Sequence, residues 1–423
     1  MSKLHLTDPE RDGHYRDITR SNGYLQNMAE RYDNLVSDGT MDMIGRVFHR
    51  IPCKHVSVSY NPTCADSTQV REVLHLGSYN YSGLNGHQKI IESSINATHQ
   101  YGTTSSGVRL LNGTSDLHLE MEKRLAKFLD VEDVITFSSG FSANLAALST
   151  LCREGDIVFS DMLNHQSIVD GLKLSGATIR IYQHVSLKSL ENRLLQSPFQ
   201  ARKFIITDGV FSMDGDLAPL PGIVELARKY NAFVIVDDAH GTGHIGPNGR
   251  GVCAHFGITD QIDVITGSLS KGLPGIGGFI ATNKKTGNII RIAANPYIYS
   301  ASLPPAVLAS IISAIDILES SPQLTLELQA KGQYFRQKLR DAGFNILNSE
   351  TAIVPLITGD ERCCFAMARM LHEKGIYVNP VTYPAVSKTR ARIRINLSAN
   401  LNDEELDYSI RTLIQIGQQL ALI

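Results

Sequence analysis

Short apolar runs alternate with amphipathic segments from about residue 130 to residue 285. The apolar runs have the length of buried strands and read "DVITF", "DIVFSD", "TIRIYQH", "KFIITDG", "AFVIVDDAH", "IDVITGSLS" and "GGFIAT". The segments between them have helical periodicity, as in "FSANLAALSTLCR" and "LPGIVELARKYN". This alternation predicts a mostly parallel sheet with helices on both faces. Ligands of such sheets bind at the carboxyl ends of the strands, so we expect the functional site there.

The pattern changes on either side of this region. Before it, a helix is predicted around "GYLQNMAERYDNLVSDG" and an extended ribbon over "HVSVSY" and "EVLHLGSYNYSGL". After it come predicted helices in "PPAVLASIISAIDILES" and "LELQAKGQYFRQKLRDAG", then the strand "AIVPLIT", the helix "ERCCFAMARMLHEKG", the strand "RARIRINLS" and a helix from Asn402. We therefore predict three parts: an N-terminal arm and small-domain segment over residues 1–95, a large domain over 96–310, and a C-terminal α+β domain over 311–423.

Composition excludes several classes of protein. The formal net charge of −2 and the lack of a Lys/Arg tract give no reason to expect nucleic acid as a partner. The six cysteines lack metal-binding spacing, so we expect reduced thiols and no metal site. The first residues are polar and no run of 18 apolar residues occurs, which predicts a soluble cytoplasmic protein without a transmembrane segment.

An acid and a lysine stand at the ends of two predicted neighbouring strands. Asp237 directly follows "AFVIV", with His240 three residues later, and Lys271 lies in "GSLSKG". A buried acid is costly unless a cation or several donors meet it, and a protonated pyridine nitrogen is such a partner. Since a lysine amine forms a Schiff base with an aldehyde cofactor, the pair is compatible with pyridoxal phosphate (PLP). Taken singly, Asp237 is equally compatible with a structural cap, and Lys271 with a solvated loop charge.

Further small and polar residues favour a phosphate group beside that lysine. In "TFSSGFSAN" a strand gives way to a helix at Gly140 and Phe141, where free backbone N–H groups and the positive helix end can bind an anion. The hydroxyl of Ser268 can bind phosphate oxygens as well. His165, in "NHQS", can lay its imidazole on a pyridine ring, although a histidine there is also a common neighbour of a helix start.

In combination these motifs resemble those of the α-oxoamine synthases, a branch of the fold type I PLP-dependent enzymes. The resemblance runs from about residue 70 to the C-terminus and rests on "SYNYSGL", "RLLNGTSDLHLEMEKRLAKF", "NHQSIVDG", "DGVFSMDGDLAPL", "VDDAHGTGHIGPNGRG", "GSLSKG", "PYIYSASLPP" and "ARIRINLSA". It implies an α/β fold type I transferase with a small C-terminal α+β domain. It also implies a homodimer with shared active sites.

The resemblance implies a role for each candidate residue. Lys271 would form the Schiff base with PLP, Asp237 would keep the ring nitrogen protonated, and His165 would stack on the ring. Lys271, His165, Asp237 and His240 would form the catalytic set. His240 and Ser212 would contact the ring hydroxyl, and Arg394 and Asn80 would bind the amino-acid substrate. The phosphate would be bound by Gly140, Phe141, Ser268 and, from the other subunit, Ser300.

The implied reaction is a decarboxylative Claisen condensation of an amino acid with an acyl thioester, which yields an α-amino ketone, CO2 and a free thiol. The blocks "SYNYSGL", "LNHQSI", "PYIYSASLPP" and "NPVTYPAV" are most similar to serine palmitoyltransferase, which favours serine and a long-chain acyl-CoA. Val108 and Ser82 depart from the usual family residues, so the amino acid and the acyl chain stay open. The sequence also leaves open whether the acyl carrier is coenzyme A or a carrier protein. Two alternatives are an aminotransferase or lyase of the same fold and a catalytically silent regulatory subunit; the presence of Lys271 disfavours the latter.

Overall fold

The structure, a computed structural model, describes residues 23–37, 40, 46–51, 53–59 and 70–423. Cys64 and the polar N-terminal segment lie outside the described residues. The chain divides into two compact units, one comprising Met1–His49 with Ser57–Glu72 and the other Arg50–Val56 with Val73–Ile423. The division that we predicted at residues 95 and 310 stays a prediction.

The described part of the first unit contains the predicted N-terminal helix, which spans Gly23–Ser37. Strand β1 (Val47–His49) pairs antiparallel with β2 (His55–Ser59), with Val47 opposite Ser59. Strand β3 spans Arg71–His75, and its residues from Val73 onward belong to the second unit. The first predicted ribbon segment is thus a strand, whereas the second, "EVLHLGSYNYSGL", is a strand only as far as His75 and continues in turns.

The second unit is built around a seven-stranded sheet. Its strands, in chain order, are β4 (Asp133–Phe137), β5 (Ile157–Asp161), β6 (Thr178–Tyr182), β7 (Lys203–Asp208), β8 (Ala232–Asp237), β9 (Val264–Ser268) and β10 (Gly278–Thr282). Their spatial order is β4-β10-β9-β8-β7-β5-β6. Six of these seven strands run in the same direction and β10 runs in the opposite one, which confirms the prediction of a mostly parallel sheet.

Helices cover this sheet because its central strands are apolar on both faces and need two covering layers. Helix Gly140–Leu151, for example, packs its alanines and leucines against β9 and β10. Capping fixes the helix starts: the Ser139 hydroxyl accepts from the N–H of Ser142, and the Ser186 hydroxyl from that of Ser189. The helices up to residue 320 span Gln88–Tyr101, Asp116–Leu129, Gly140–Leu151, Gln166–Ser175, Leu187–Leu195, Leu220–Tyr230, Val252–His255, Lys284–Ala293, Asn295–Ile298 and Pro305–Ser320.

The C-terminal region has the mixed character that its pattern predicts. It contains the helices Gln323–Asp341, Glu361–Glu373 and Asp403–Gln419 and the strands β11 (Ile353–Gly359), β12 (Ile376–Tyr377), β13 (Asn379–Val381) and β14 (Ala391–Asn396). Strands β11, β14 and β13 form an antiparallel sheet in that order, while β12 pairs in parallel with the last residues of β3. Asn402 caps the last helix, as predicted.

Cys53, Cys152, Cys253, Cys363 and Cys364 are free thiols. Among the described residues no single helix is both long and apolar enough to cross a membrane. The pair Pro305–Ser320 and Gln323–Asp341, bent by 78° at their junction, meets the length and composition criteria only when the two helices are taken together.

Candidate active site

The carboxyl ends of the central strands border a cavity of about 190 Å³. Asp208, Asp237 and Ser268 are the last residues of β7, β8 and β9, so the parallel arrangement alone brings them to one edge of the sheet. Most of the predicted site residues line this cavity, namely Gly140, Phe141, His165, Asp237, His240, Ser268 and Lys271. The other lining residues are Ser139, Asn144, Ser167, Asp208, Val210, Ala239 and Ser270.

Lys271 enters the cavity from the loop that follows β9. Its neighbour Gly272 has no room for a side chain, since a Cβ atom there would collide with the carbonyl oxygen of Thr242. Burial lowers the pKa of Lys271, an effect that the carboxylates of Asp237 and Asp208 oppose. An amine with a lowered pKa loses its proton more readily and is a better nucleophile, so Lys271 is suited to attack an aldehyde.

Asp237 is buried and hydrogen-bonded through both carboxylate oxygens. Its Oδ1 accepts from the backbone N–H of Ala239 at 2.9 Å, and its Oδ2 accepts from Nδ2 of Asn144 at 2.6 Å. These donors offset part of the cost of burying the carboxylate. Since each oxygen has a second lone pair, Asp237 can still accept a hydrogen bond from a ligand in the cavity.

His165 is the N-cap of helix Gln166–Ser175. Its Nδ1 accepts from the backbone N–H of Ser167 at 3.3 Å and lies 2.7 Å from the Ser167 hydroxyl oxygen. Burial lowers the pKa of His165; Asp237 opposes this shift and Lys271 adds to it. The imidazole is therefore favoured in its neutral form.

Two further ionisable groups complete the polar lining. Burial and the nearby Asp237 raise the pKa of Asp208 well above its usual range, and its Oδ1 accepts from the backbone N–H of His165 at 3.3 Å. Burial, with Lys271 adding to it, lowers the pKa of His240 well below its usual range. The Nδ1 atom of His240 lies 3.0 Å from the hydroxyl oxygen of Tyr81. An imidazole with a lowered pKa and a carboxyl group with a raised pKa thus flank the lysine.

The start of helix Gly140–Leu151 forms a cradle for an anion. The first N–H groups of a helix, here those of Gly140 and Phe141, lack intrahelical acceptors and carry the positive end of the helix dipole. A Cβ on Gly140 would lie 3.2 Å from the Cβ of Ser268, so a larger residue would narrow the cradle. The Ser268 and Ser270 hydroxyl oxygens lie 2.8 Å apart at the same place.

These residues fit PLP. The cradle suits a phosphate, the free lone pairs of Asp237 suit a protonated pyridine nitrogen, and the amine of Lys271 suits an aldehyde. All three groups line one cavity. No other bound group is needed to account for their convergence.

Four predicted site residues lie outside the cavity lining. Arg394 donates from Nη2 to the Tyr79 hydroxyl at 2.6 Å and from Nη1 to the Ser212 carbonyl at 3.5 Å. Its buried Nε has no hydrogen-bond partner among the described residues, which leaves a donor for an anionic ligand. The side chain of Asn80 accepts from the backbone N–H of Asn85 at 3.1 Å and so supports a turn. Ser300 precedes an isolated β-bridge at residue 301. That it contacts the phosphate in a partner subunit's site stays a prediction.

Sequence reasoning missed Asn144, Ser167 and Asp208 as members of the site. Asn144 had a usable signal, because it is a polar residue one turn after Gly140 on the otherwise apolar inner face of its helix. Asp208 ends a strand just as Asp237 does. Ser167 carried no signal apart from its closeness to His165.

Known proteins resemble the chain over nearly all of this architecture. A family model described as aminotransferase class I and II matches residues 71–413. The 8-amino-7-oxononanoate synthase of Petrotoga mobilis is 43% identical over 355 residues, which are 84% of this chain and 90% of that protein. The serine palmitoyltransferase of Sphingomonas wittichii has a TM-score of 0.89 at 31% identity, covering 96% of this chain and 100% of that one. A serine palmitoyltransferase variant from S. paucimobilis with bound PLP and myriocin has a TM-score of 0.90 at 30% identity, with the same coverage. These likenesses confirm the predicted fold class.

Proposed function

Since the chain belongs to the aminotransferase class I and II family and, within it, to the PLP-dependent α-oxoamine synthases, we propose that it joins a small amino acid to the acyl group of a thioester. The products are an α-amino ketone, CO2 and a free thiol. The observation that carries the proposal is the convergence of Lys271, Asp237 and the anion cradle at Gly140 on one cavity.

PLP, when bound, withdraws electrons from the α-carbon of an amino acid. Gly140, Phe141 and Ser268 would hold its phosphate, Asp237 would keep its ring nitrogen protonated, and His165 would pack on its ring. The amine of Lys271, once neutral, removes the α-proton of the amino acid and later returns it. Arg394 would orient the substrate carboxylate with its forked guanidinium, whose Nε has no hydrogen-bond partner among the described residues.

The first candidate pair of substrates is serine and a long-chain acyl-CoA. The motifs around Asn80, His165 and Ser300 support this pair, and so do the names of the similar solved structures. Arg394 accommodates any amino-acid carboxylate, so the specificity for serine would come from groups that meet its hydroxyl.

A second pair is supported by the sequence relatives, which are more similar to the chain than the solved structures are, at 43% against 31% identity. The name 8-amino-7-oxononanoate describes a nine-carbon acid with a ketone at C7, an amine at C8 and a terminal methyl. Cleaving the bond between C7 and C8 and restoring a carboxylate at C8 gives alanine and the thioester of a seven-carbon dicarboxylic acid. The second candidate is therefore the condensation of these two compounds.

A two-by-two assay separates the pairs. The PLP-loaded enzyme receives serine or alanine, labelled at the carboxyl carbon, together with palmitoyl-CoA or pimeloyl-CoA. Free thiol and labelled CO2 are measured, and the amino ketone is identified by mass. Equal release of thiol and CO2 with one pair identifies the substrates. Amino-group transfer without CO2 release would instead support an aminotransferase, and a lack of turnover with every acyl thioester supplied would support a silent subunit.

The homodimer with shared active sites and the cytoplasmic location remain proposals. The exposed Tyr299 beside Ser300 supports the homodimer, because an exposed aromatic side chain next to a predicted phosphate ligand suits a surface that a partner covers.

A further inference from the structure

Asn144 is a buried, hydrogen-bonded amide in the wall of the cavity, only 2% exposed. Its Oδ1 accepts from the Thr266 hydroxyl at 2.6 Å, while Nδ2 donates to Asp237 Oδ2 at 2.6 Å and to the Ser167 hydroxyl oxygen at 2.8 Å. The direction of each bond is fixed, because Oδ1 only accepts and Nδ2 only donates. One side chain therefore holds the predicted acid and a neighbour of the predicted stacking histidine together.

The same logic fixes the proton on His165. The Ser167 oxygen accepts from Asn144, so the Ser167 proton is free to go to Nδ1 of His165, 2.7 Å away. The backbone N–H of Ser167 also donates to Nδ1, and a backbone amide cannot reverse its role. Nδ1 must therefore keep its lone pair, and the ring proton lies on Nε2.

We propose that Asn144 is a positioning residue that couples Asp237 to His165, holding Oδ2 of the acid and, through Ser167, fixing the imidazole as the neutral Nε2–H tautomer. The catalytic consequence rests on the proposed function, whereas the tautomer does not. With Nδ1 engaged as an acceptor, His165 presents a single donor at Nε2. A ring locked in this way can stack or donate without changing its charge.

The protonation of His165 depends on the nearby charges as well as on the hydrogen bonds to Nδ1. Burial and Lys271 lower the pKa of His165, while Asp237 raises it. The other ionisable groups that line the cavity beside His165 are His240 and Asp208, whose Oδ1 accepts from the backbone N–H of His165. Donors aimed at Nδ1 disfavour protonation there, because the protonated atom could no longer accept. Losing the shorter hydroxyl bond of 2.7 Å leaves the backbone N–H of Ser167, at 3.3 Å, to oppose protonation of Nδ1, so the pKa of His165 should rise.

The decisive measurement is the tautomer of His165 in the PLP-loaded enzyme. The protein is labelled with ¹⁵N-histidine, and two-bond ¹H–¹⁵N spectra are recorded as the pH is varied, with His165→Gln used to assign the signal. We expect an unprotonated Nδ1 and a protonated Nε2 in the wild type. In Ser167→Ala and in the nearly isosteric Asn144→Leu, the Nδ1 signal should shift toward the protonated form at a higher pH than in the wild type.

The matched control is Ser175→Ala, since Ser175 is a buried serine of the same helix whose hydroxyl donates to the Leu172 carbonyl. It should leave the His165 signals unchanged. Should Asn144→Leu fail to fold, the variant Thr266→Val takes its place in the comparison. Thr266→Val removes only the hydroxyl donor that orients the Asn144 amide. A protonated Nδ1 in the wild type, or His165 signals unchanged in the folded Ser167 and Asn144 variants, would overturn the inference.

Thiol release, assayed on the same samples, keeps the two proposals apart. We expect kcat to fall by about 10-fold or more in Ser167→Ala, the size of effect typical of groups that orient a functional side chain. A wild type that shows the Nε2–H tautomer but releases no thiol with any substrate pair would contradict the proposed function alone.

Discussion

Among the individual residues, Lys271 is the one on which the proposed reaction depends most. Replacing it with alanine removes the amine that we propose bonds the aldehyde and, in the proposed mechanism, moves the α-proton. We expect turnover to fall by at least roughly 10²–10⁴-fold, the usual contribution of general acid–base catalysis. PLP should still bind, because the cradle at Gly140 and the carboxylate of Asp237 are untouched. Thiol release and the visible absorbance of the desalted protein measure the two properties.

The exposed Lys284 provides the control for this substitution. Lys284→Ala removes an equal positive charge away from the cavity and should leave both readouts at the wild-type level. Steady turnover in Lys271→Ala would mean that another group moves the proton, and the role of Lys271 would have to be abandoned.

At this scale the sequence predicts best the residues whose position follows from the strand alone. Asp237 and Ser268 end apolar runs and Lys271 follows one, so the parallel sheet brings them together. Asn144 could not be assigned in the same way, because its partner Asp237 is 93 residues away and the bond depends on how one helix rests on the sheet. Packing of that kind is not encoded in local periodicity.

At the scale of elements, one histidine links strand ends to a loop of the site. His184 follows β6, and its Nδ1 lies 3.0 Å from Asp161 Oδ1 at the end of β5. Its Nε2 lies 2.9 Å from Asp216 Oδ2, in the loop that also carries Ser212. Burial lowers the pKa of His184, but the hydrogen bonds that its ring donates to the two carboxylates outweigh this effect and raise the pKa to about 10.

His184→Asn should destabilise the protein in a pH-dependent way. The folded-state pKa of about 10 lies above the unfolded value of 6.5, so the charged bridge stabilises fully below pH 6.5 and is lost as the pH rises through 10. We expect a loss of about 1–3 kcal/mol at low pH, after allowing for partial exposure of the ring. Thermal melts of the variant and the wild type across this pH range measure the difference.

The exposed His255 serves as the control, since His255→Asn makes the same exchange on the surface. Its melting temperature should follow that of the wild type at every pH. If the loss of stability in His184→Asn is the same above pH 10 as below pH 6.5, the ring acts through packing and not through its charge. Its packing partner is Phe211, whose ring centroid lies 4.4 Å from that of His184.

Elements themselves were predictable where a single pattern ran long enough. The strands of the large sheet coincide with continuous apolar runs, and Asn402 marks the start of the last helix because its side chain caps it. Strands β12 and β13 span two and three residues, too few for any periodicity. Their pairing is set by tertiary contacts, so they emerge only in the fold.

At the scale of the whole molecule, Ser300 is outside the cavity of its own chain and lies in an apolar, exposed setting. Tyr299 is 79% exposed, and Leu111, in the segment joined to this loop by the bridge between Val108 and Ala301, is 80% exposed. Large apolar side chains exposed together mark surfaces that a partner covers. These observations favour a two-fold dimer in which Ser300 of one subunit serves the other subunit's site.

Mixed dimers test this arrangement. In a dimer of Lys271→Ala with Ser300→Asp, whose carboxylate would repel a phosphate, sharing across the interface puts both defects in one site and leaves the other intact. Two inactive parents should then yield hybrids with about half the activity of a wild-type dimer, since one of two sites is whole. If Ser300 acts within its own subunit, each site carries one defect and the hybrid stays inactive. Differently tagged subunits allow the hybrids to be isolated and their thiol release compared with both parents, so restored activity can arise only from a site built by two chains.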